Sequence, residues 1–322
     1  MIEYTKDIIL SSNLSLRRNI RGYDFPASMS YEASGEIIDI FRGIFGDRLI
    51  LLEELDENTL NELINSFVLC EDCTDKALKI GLVFEDDYII VINDRDHLAI
   101  NVNDFNLDLK SAYKKASLLE EGLDESLDFA FSPEYGYLTQ DGRNTGNGLE
   151  IFVKCFLFAM VDDEKAYFGL KQSLIHEAIY LQKFVPKNYK RYADDLYLLK
   201  NIGNYWKDID KTLAKFEKAL DILVRNERRF RRDYLVLNGI KEAEIEDYIE
   251  VMLSNLKLGL DKSLELLAKD LYGLKKYRLL AFDTDFTNDE LDYLIFNLTK
   301  NKYEGNRDDR RNLFLKEYIE ER

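Results

Sequence analysis

The sequence predicts an α+β fold in which a strand-bearing first part gives way, near residue 205, to an all-helical second part. Three observations predict it. Lys79 to Phe84 and Tyr88 to Ile92 are apolar, β-rich runs separated by Glu85-Asp86-Asp87, the pattern of a hairpin. Leu98 to Val102 then alternates as a third strand does. Beyond residue 205 the period changes: Leu213, Phe216, Leu220 and Leu223 recur at helical spacing, as do Ile245, Tyr248, Ile249, Met252 and Leu256.

Between these markers Ser111 to Leu127 reads as a helix leading to a glycine-bearing stretch, Gly136 to Leu149. Thr287 and Glu290 have the spacing of a capping box ahead of Leu291, Leu294, Ile295 and Leu298, which predicts a late helix start. With only 3 Pro and no Ser/Gly-rich linker, the boundary rests on the change of period, dividing the chain into 1–205 and 206–322.

The 322 residues, 46% hydrophobic and with 19 Phe and 20 Tyr, suffice for a full core. The net charge of −17 argues against a general binder of phosphate backbones, so nucleic acid is not an expected partner. Two basic segments in so acidic a chain, Arg225 to Arg232 (RNERRFRR) and Arg307 to Arg311 (RDDRR), are candidates for anion contacts. For Arg228, Arg229, Arg231 and Arg232 the expectation is an exposed helix face pairing with acids. Cys70, Cys73 and Cys155 provide one lone C-x-x-C without a second pair or nearby His, so reduced thiols are expected and no metal. Neither a signal peptide nor a membrane span is read, and a cytoplasmic setting is expected.

Three collinear segments carry a resemblance. Asp7 to Asn19 (DIILSSNLSLRRN), followed by Phe25-Pro26, is similar to D-I-V-L-S-S-R-I-R-L-A-R-N and F-P. Asn93 to Ile100 (NDRDHLAI) is similar to N-E-E-D-H-x-R-I, and Gly136 to Val153 (GYLTQDGRNTGNGLEIFV) to G-Y-L-T-x-C-P-T-N-x-G-T-G-L-R-A-S-V. These are motifs of the ATP:guanido phosphotransferases, or phosphagen kinases, and the chain resembles in particular their McsB-type bacterial protein-arginine kinases. A fourth segment, Asn306 to Asn312 (NRDDRRN), resembles the R-D-x-x-R-A motif with which McsB proteins bind phosphoarginine. The resemblance implies an antiparallel sheet flanked by helices, of the phosphagen-kinase/glutamine-synthetase-like kind, followed by a helical C-terminal region that mediates dimerisation in McsB relatives.

The same resemblance implies that the chemistry has been altered. Phosphoryl transfer depends on positioning and on charge stabilisation, and arginine forks supply most of a triphosphate clamp. The family's clamp arginines correspond to Asn13, Ser15, Ala99 and Glu150, its catalytic carboxylate to Arg95 beside Asp94, and its active-site cysteine to Asp141. Its R-G-x-x-G-E-G substrate loop has no counterpart near Lys183 to Asp195. His97 is retained, and is expected to act as a hydrogen-bonded scaffold residue; Gly146 and Gly148 are expected to set turns. Arg18 matches a family arginine, whereas Arg17 stands where the family has alanine, and neighbours on an extended segment point to opposite faces.

Arg307, Asp308 and Arg311 keep the layout able to hold a phosphoryl group and a guanidinium. The expectation is therefore an inactive pseudokinase without a cofactor, which binds phosphoarginine or regulates an arginine-kinase, adaptor and Clp-protease system and dimerises through its C-terminal helices. Two alternatives stand beside it. One is a working Mg-ATP-dependent arginine kinase with Asp94, Asp96 or Asp141 as base and Arg17, Arg18, Arg95 or Arg143 on phosphate; the other is a purely structural dimerisation partner.

Overall fold

A computed structural model describes residues 6–104, 107–124, 126–185, 195–202, 208–258, 264–299 and 318. The chain forms two compact units, one comprising residues 1–155, 168–182 and 197–223, the other 156–167, 183–196 and 224–322.

The expected hairpin is present as β3 (Gly81–Phe84) and β4 (Ile89–Ile92), closed by a 3.0 Å bond from the Glu85 amide to the Tyr88 carbonyl. The third strand follows as β5 (Leu98–Asp104). With β1 (Ile9–Arg18), β2 (Leu49–Leu51), β8 (Leu149–Phe156), β9 (Ile179–Lys183) and β10 (Leu196–Asn201) they form one sheet in the order β2-β3-β4-β5-β1-β8-β10-β9. β6 (Phe131–Ser132) and β7 (Gly136–Tyr137) make a separate two-stranded ribbon. β1 is central and antiparallel to both neighbours, with Ser15 opposite Asn101 on one side and Glu150 on the other.

Strand alternation gives this sheet two different faces. Leu14, Leu16, Leu98, Ile100, Leu149 and Ile151 lie on the apolar face, which packs against α3 (Leu109–Asp124). α1 (Tyr31–Phe45) approaches Gly81 so closely that a Cβ there would lie 2.8 Å from Ile38 Cδ1, so a larger residue would make the Ile38 side chain shift. On the opposite face α2 (Glu57–Asn65) sets Leu63 and Ile64 over Leu82, Val91 and Ala99. That face turns polar toward the middle of the sheet, because β1 and β8 read N-x-S-x-R and E-x-F-x-K there.

The expected helix from Ser111 is α3, which begins at Leu109 and ends at Asp124. α4 (Glu164–His176) precedes β9, so the described residues between 160 and 205 include a helix and two strands. After residue 205 the described residues are helical: α5 (Ile209–Arg232), α6 (Tyr234–Asn238), α7 (Glu242–Leu258), α8 (Leu264–Leu279) and α9 (Asn288–Thr299). Leu213, Phe216, Leu220 and Leu223 of α5 are buried as their spacing predicts.

In the second unit Ile245, Ile249 and Leu256 of α7 join Leu267, Leu271 and Leu274 of α8 and Leu291 and Leu294 of α9 in one core. Tyr248 departs from expectation and is 55% exposed, since its place on α7 lies off the stripe that faces α8. The Thr287–Glu290 capping box forms: the Thr287 amide donates to the Glu290 carboxylate at 2.7 Å, and the Glu290 amide to Thr287 Oγ1 at 3.3 Å.

The basic stretch on α5 is corrected at one position. Arg229 and Arg232 are exposed and Arg228 is half-buried, but Arg231 is buried, with Nε donating to Glu227 at 3.0 Å. Glu227 in turn accepts from the amides of Phe158, Ala159 and Met160, which explains why a wholly buried carboxylate is stable there. Among the described residues no helix is long and apolar enough to cross a membrane.

Candidate functional site

Register and alternation gather widely separated residues on the polar face of the sheet. Asn13, Ser15 and Arg17 project from β1, Ala99 and Asn101 from β5, and Glu150, Phe152 and Lys154 from β8. The loop 93–97 between β4 and β5 brings Asp94, Arg95, Asp96 and His97 to the edge of the same face. Asn93 starts that loop in the left-handed region at φ 63°, where asparagine is among the tolerated residues, and its Nδ2 donates to the Ser34 and Lys79 carbonyls, each at 3.0 Å.

An ion network fills the space. Arg17, fully buried, donates through Nε to Glu150 Oε2, and its Nη1 lies 3.7 Å from Asp96 Oδ2. Arg95 reaches the same Glu150 oxygen, Nη1 to Oε2 at 3.6 Å, with its guanidinium 6.0 Å from the centre of the Phe152 ring. Burial pushes the Glu150 carboxyl up, but the Arg17 and Arg95 charges and a bond from Asn144 outweigh it and hold the group below the usual range. For Asp96 burial prevails and raises the carboxyl, despite Arg17, the Gln140 amide at 2.8 Å and Asn19 Nδ2 at 2.6 Å. The buried Nη1 and Nη2 of Arg17, Nε of Arg95 and Oγ of Ser15 have no hydrogen-bond partner.

The other ionisable groups of the loop are held by neighbours of their own. Asp94 accepts from the Cys70 amide at 3.0 Å, from the Cys70 thiol, and from Lys76 Nζ at 2.9 Å. The Cys70 thiol is pushed up by its bond with Cys73, by burial and by the Asp94 charge, which keeps it protonated; none of the three cysteines is in a disulfide. His97 accepts at Nδ1 from the Ile20 amide at 3.0 Å, so its proton is on Nε2, which donates to the Asp24 carbonyl at 2.9 Å. Burial lowers its pKa, and a neutral ring with both nitrogens engaged acts as a brace between loop and strand.

Further along the face, Asp141 pairs with Arg143 at 2.6 Å. Lys200 of β10 has its pKa lowered by burial, opposed by Glu150 and reinforced by Arg143 and Arg95. Burial alone brings Lys154 down to about 8. Among the described residues no group of His, Cys, Asp and Glu is placed to hold a metal.

This arrangement can be set against known proteins. Residues 36–168 match the family model for the ATP:guanido phosphotransferase C-terminal catalytic domain. The protein-arginine kinase of Caldanaerobacter subterraneus subsp. tengcongensis is 24% identical over 291 residues, covering 81% of this chain and 84% of that protein. That of Bacillus licheniformis is 25% identical, covering 79% and 77%. That of Desulforamulus reducens is 30% identical over a shorter stretch, 48% of this chain and 47% of its own length. The chain is similar to the ATP:guanido phosphotransferases, and the relatives that it matches are protein-arginine kinases.

Solved structures agree on the fold. A lombricine kinase superposes with a TM-score of 0.56 at 16% identity, over 73% of this chain and 69% of that one. A duplicated taurocyamine kinase from Schistosoma mansoni with bound transition-state-analogue components gives 0.61 at 16% identity, over 81% of this chain and 39% of that one. As in these phosphagen kinases, an antiparallel sheet flanked by helices is accompanied by C-terminal helices.

The similarity to this family gives the face its meaning. The four positions where the family pattern has arginine, Asn13, Ser15, Ala99 and Glu150, stand together on it. Guanidinium groups are nevertheless present: Arg17 and Arg95 enter at positions where the pattern has alanine and glutamate, and both turn onto Glu150. Arg18 faces the other way, pairing with Glu120 at 2.7 Å and lying 3.5 Å from the centre of the Tyr137 ring.

Gly148 fills a closer role than a simple turn. At φ +68° a Cβ there would sit 2.5 Å from the Arg17 carbonyl oxygen. Sequence reasoning missed Cys70, Lys76, Lys154 and Lys200 as neighbours of the site. Period-two alternation through β8 would have found Lys154, two residues beyond Phe152; nothing local would have found the others. Arg307, Asp308 and Arg311 lie outside the described residues.

Proposed function

We propose that this chain is an inactive member of the protein-arginine kinase group, a pseudokinase that binds phosphoarginine or regulates an active arginine-kinase, adaptor and Clp-protease system. One observation carries the proposal: the two guanidinium groups on the polar face, Arg17 and Arg95, are turned inward onto Glu150, which itself stands where the family pattern has a clamp arginine. A carboxylate there repels a triphosphate, and arginines already neutralised by it offer little to an incoming phosphate.

The candidate bases are engaged as well. Asp94 is taken by Cys70 and Lys76, Asp96 by Asn19 and Gln140, and Asp141 by Arg143. The phosphoarginine part rests on the sequence of Arg307, Asp308 and Arg311, and the division at residues 205 and 206, dimerisation through C-terminal helices and a cytoplasmic setting belong to the same proposal.

Calorimetric titration with Mg-ATP and with phosphoarginine in parallel tests it. The expected result is no heat with Mg-ATP and a saturable signal with phosphoarginine that Arg307→Ala and Arg311→Ala abolish. Transfer of label from ATP to protein arginine, lost on changing Asp94 or Asp96, would establish the active-kinase alternative instead. Silence toward both ligands would leave the structural partner.

A further inference from the structure

Cys70 and Cys73 lie side by side at the foot of a turn. The Cys73 amide donates to the Cys70 carbonyl at 3.4 Å, which closes that turn. A turn closed in this way holds its end Cα atoms within about 7 Å, and a disulfide spans about 4.4–6.8 Å between Cα atoms. The side chains converge as well: the two thiols are hydrogen-bonded to each other, and both join Leu63, Ile64 and Val68 in the core that α2 covers. Cys155 lies elsewhere, on β8, where its thiol donates to the Val153 carbonyl at 3.7 Å.

The neighbours of Cys70 suit oxidation of its sulfur. Its thiol donates to Asp94, and Lys76 Nζ lies 3.1 Å from the sulfur. A carboxylate is thus in place to take the proton, and an ammonium to steady the negative sulfur that results. Cys70 and Cys73 are buried, but Glu71 and Asp72 between them are exposed, so the pair lies directly behind a solvent-facing turn. A thiol that is protonated at rest reacts slowly, and its cover admits small neutral oxidants in preference to bulky ones.

We propose that Cys70 and Cys73 form a modification site, a dithiol that a small peroxide oxidises reversibly to an intrachain disulfide, and that this acts through Asp94 on the loop carrying Arg95. The Cys70 sulfur attacks one peroxide oxygen, the O–O bond breaks, and the thiol proton, passed through Asp94, leaves with the other oxygen as water. The Cys73 sulfur then attacks the sulfenic sulfur of Cys70, and the S–S bond forms as the hydroxyl departs with the Cys73 proton as a second water. Two thiols lose two electrons and the peroxide gains them. Once the Cys70 S–H is gone, Asp94 loses that donor and keeps the Cys70 amide at 3.0 Å and Lys76 Nζ at 2.9 Å. The loop is loosened but stays anchored. This inference does not depend on whether the chain phosphorylates arginine.

Peptide mapping of the full chain tests it. Wild type is treated with hydrogen peroxide, alkylated and digested with trypsin; the tryptic peptide Leu49–Lys76 contains Cys70 and Cys73 and lacks Cys155. It should appear unalkylated and lighter by two hydrogens, and dithiothreitol should return it to the doubly alkylated form. Cys155→Ala should behave as wild type, and Cys73→Ala should not yield the unalkylated peptide. Hydrogen exchange over residues 93–97 should quicken about fivefold on oxidation, as the loss of one hydrogen bond of about 1 kcal/mol predicts, and recover on reduction.

Full alkylation after peroxide, a sulfinic acid on Cys70, a disulfide to Cys155, or an oxygen-containing bridge from Cys70 to Lys76 that blocks cleavage there overturns the inference. A disulfide that leaves exchange over 93–97 unchanged overturns the coupling through Asp94. Should Cys73→Ala fail to fold, the wild-type peptide still decides the matter.

Discussion

Arg17 and Glu150 show how two changes that look unfavourable singly become compatible when paired. An arginine with no exposed surface needs a counter-charge, and a carboxylate among cation positions needs a cation. Glu150→Gln is expected to lose about 3–5 kcal/mol in urea unfolding, because it strands the Arg17 charge. Arg17→Met with Glu150→Leu should recover most of that loss, since replacing both partners removes the desolvation penalty. The pH dependence follows from the same group. The folded pKa of Glu150 lies below its usual value of 4.5, so its contribution is present above 4.5 and is lost as pH falls through the folded pKa. Glu150→Gln should therefore flatten the acid limb of the stability curve.

Lys154 gives the opposite sign on the alkaline side. Between its folded value of about 8 and its usual 10.5 the unfolded chain binds more protons than the folded one, so stability rises with pH across that window. Over this range the urea midpoint of wild type should rise relative to that of Lys154→Met, which isolates the contribution of this lysine.

Among the elements, β1 is where sequence and position are most tightly bound together. Its seven residues from Ser12 to Arg18 are all buried, with Asn13, Ser15 and Arg17 on one face and Ser12, Leu14, Leu16 and Arg18 on the other. A slip of one residue would exchange the faces and put Arg17 into the apolar core against α3. The turn that leads into β8 protects the register through Gly148, which approaches the Arg17 backbone and carries a positive φ. Gly148→Ala should cost about 1–3 kcal/mol from the backbone conformation alone, plus the displacement of the Arg17 carbonyl. Thermal unfolding measures it, and a loss below about 0.5 kcal/mol would show that the turn relaxes freely.

For the whole molecule the dominant quantity is a net charge of −17. Self-repulsion of that size destabilises the compact state and is screened by salt. Raising sodium chloride from about 10 mM to about 150 mM, which shortens the screening length from about 30 Å to about 8 Å, should raise the melting temperature of wild type. Buried pairs such as Arg17–Glu150 and Arg231–Glu227 are screened much less, so the loss caused by Glu150→Gln should be nearly the same at both salt concentrations.

Much of this was legible in the residues alone. The β3–β4 hairpin, β5, α3, the apolar stripe of α5 and the α9 capping box each follow from a period or a pair of residues close in the chain, and the resemblance to a family follows from motif segments kept in order. The strands β9 and β10 did not announce themselves, because their burial is set by neighbours brought from elsewhere. The sequence determined that arginines are missing at Asn13, Ser15, Ala99 and Glu150, since that is a matter of residue type. Only the tertiary structure decided where the remaining cations point: Arg17 toward Glu150 and Arg18 toward Glu120, partners 133 and 102 residues away. The physical reason is that an ion pair depends on distance in space, and strand register, which no local stretch encodes, sets that distance.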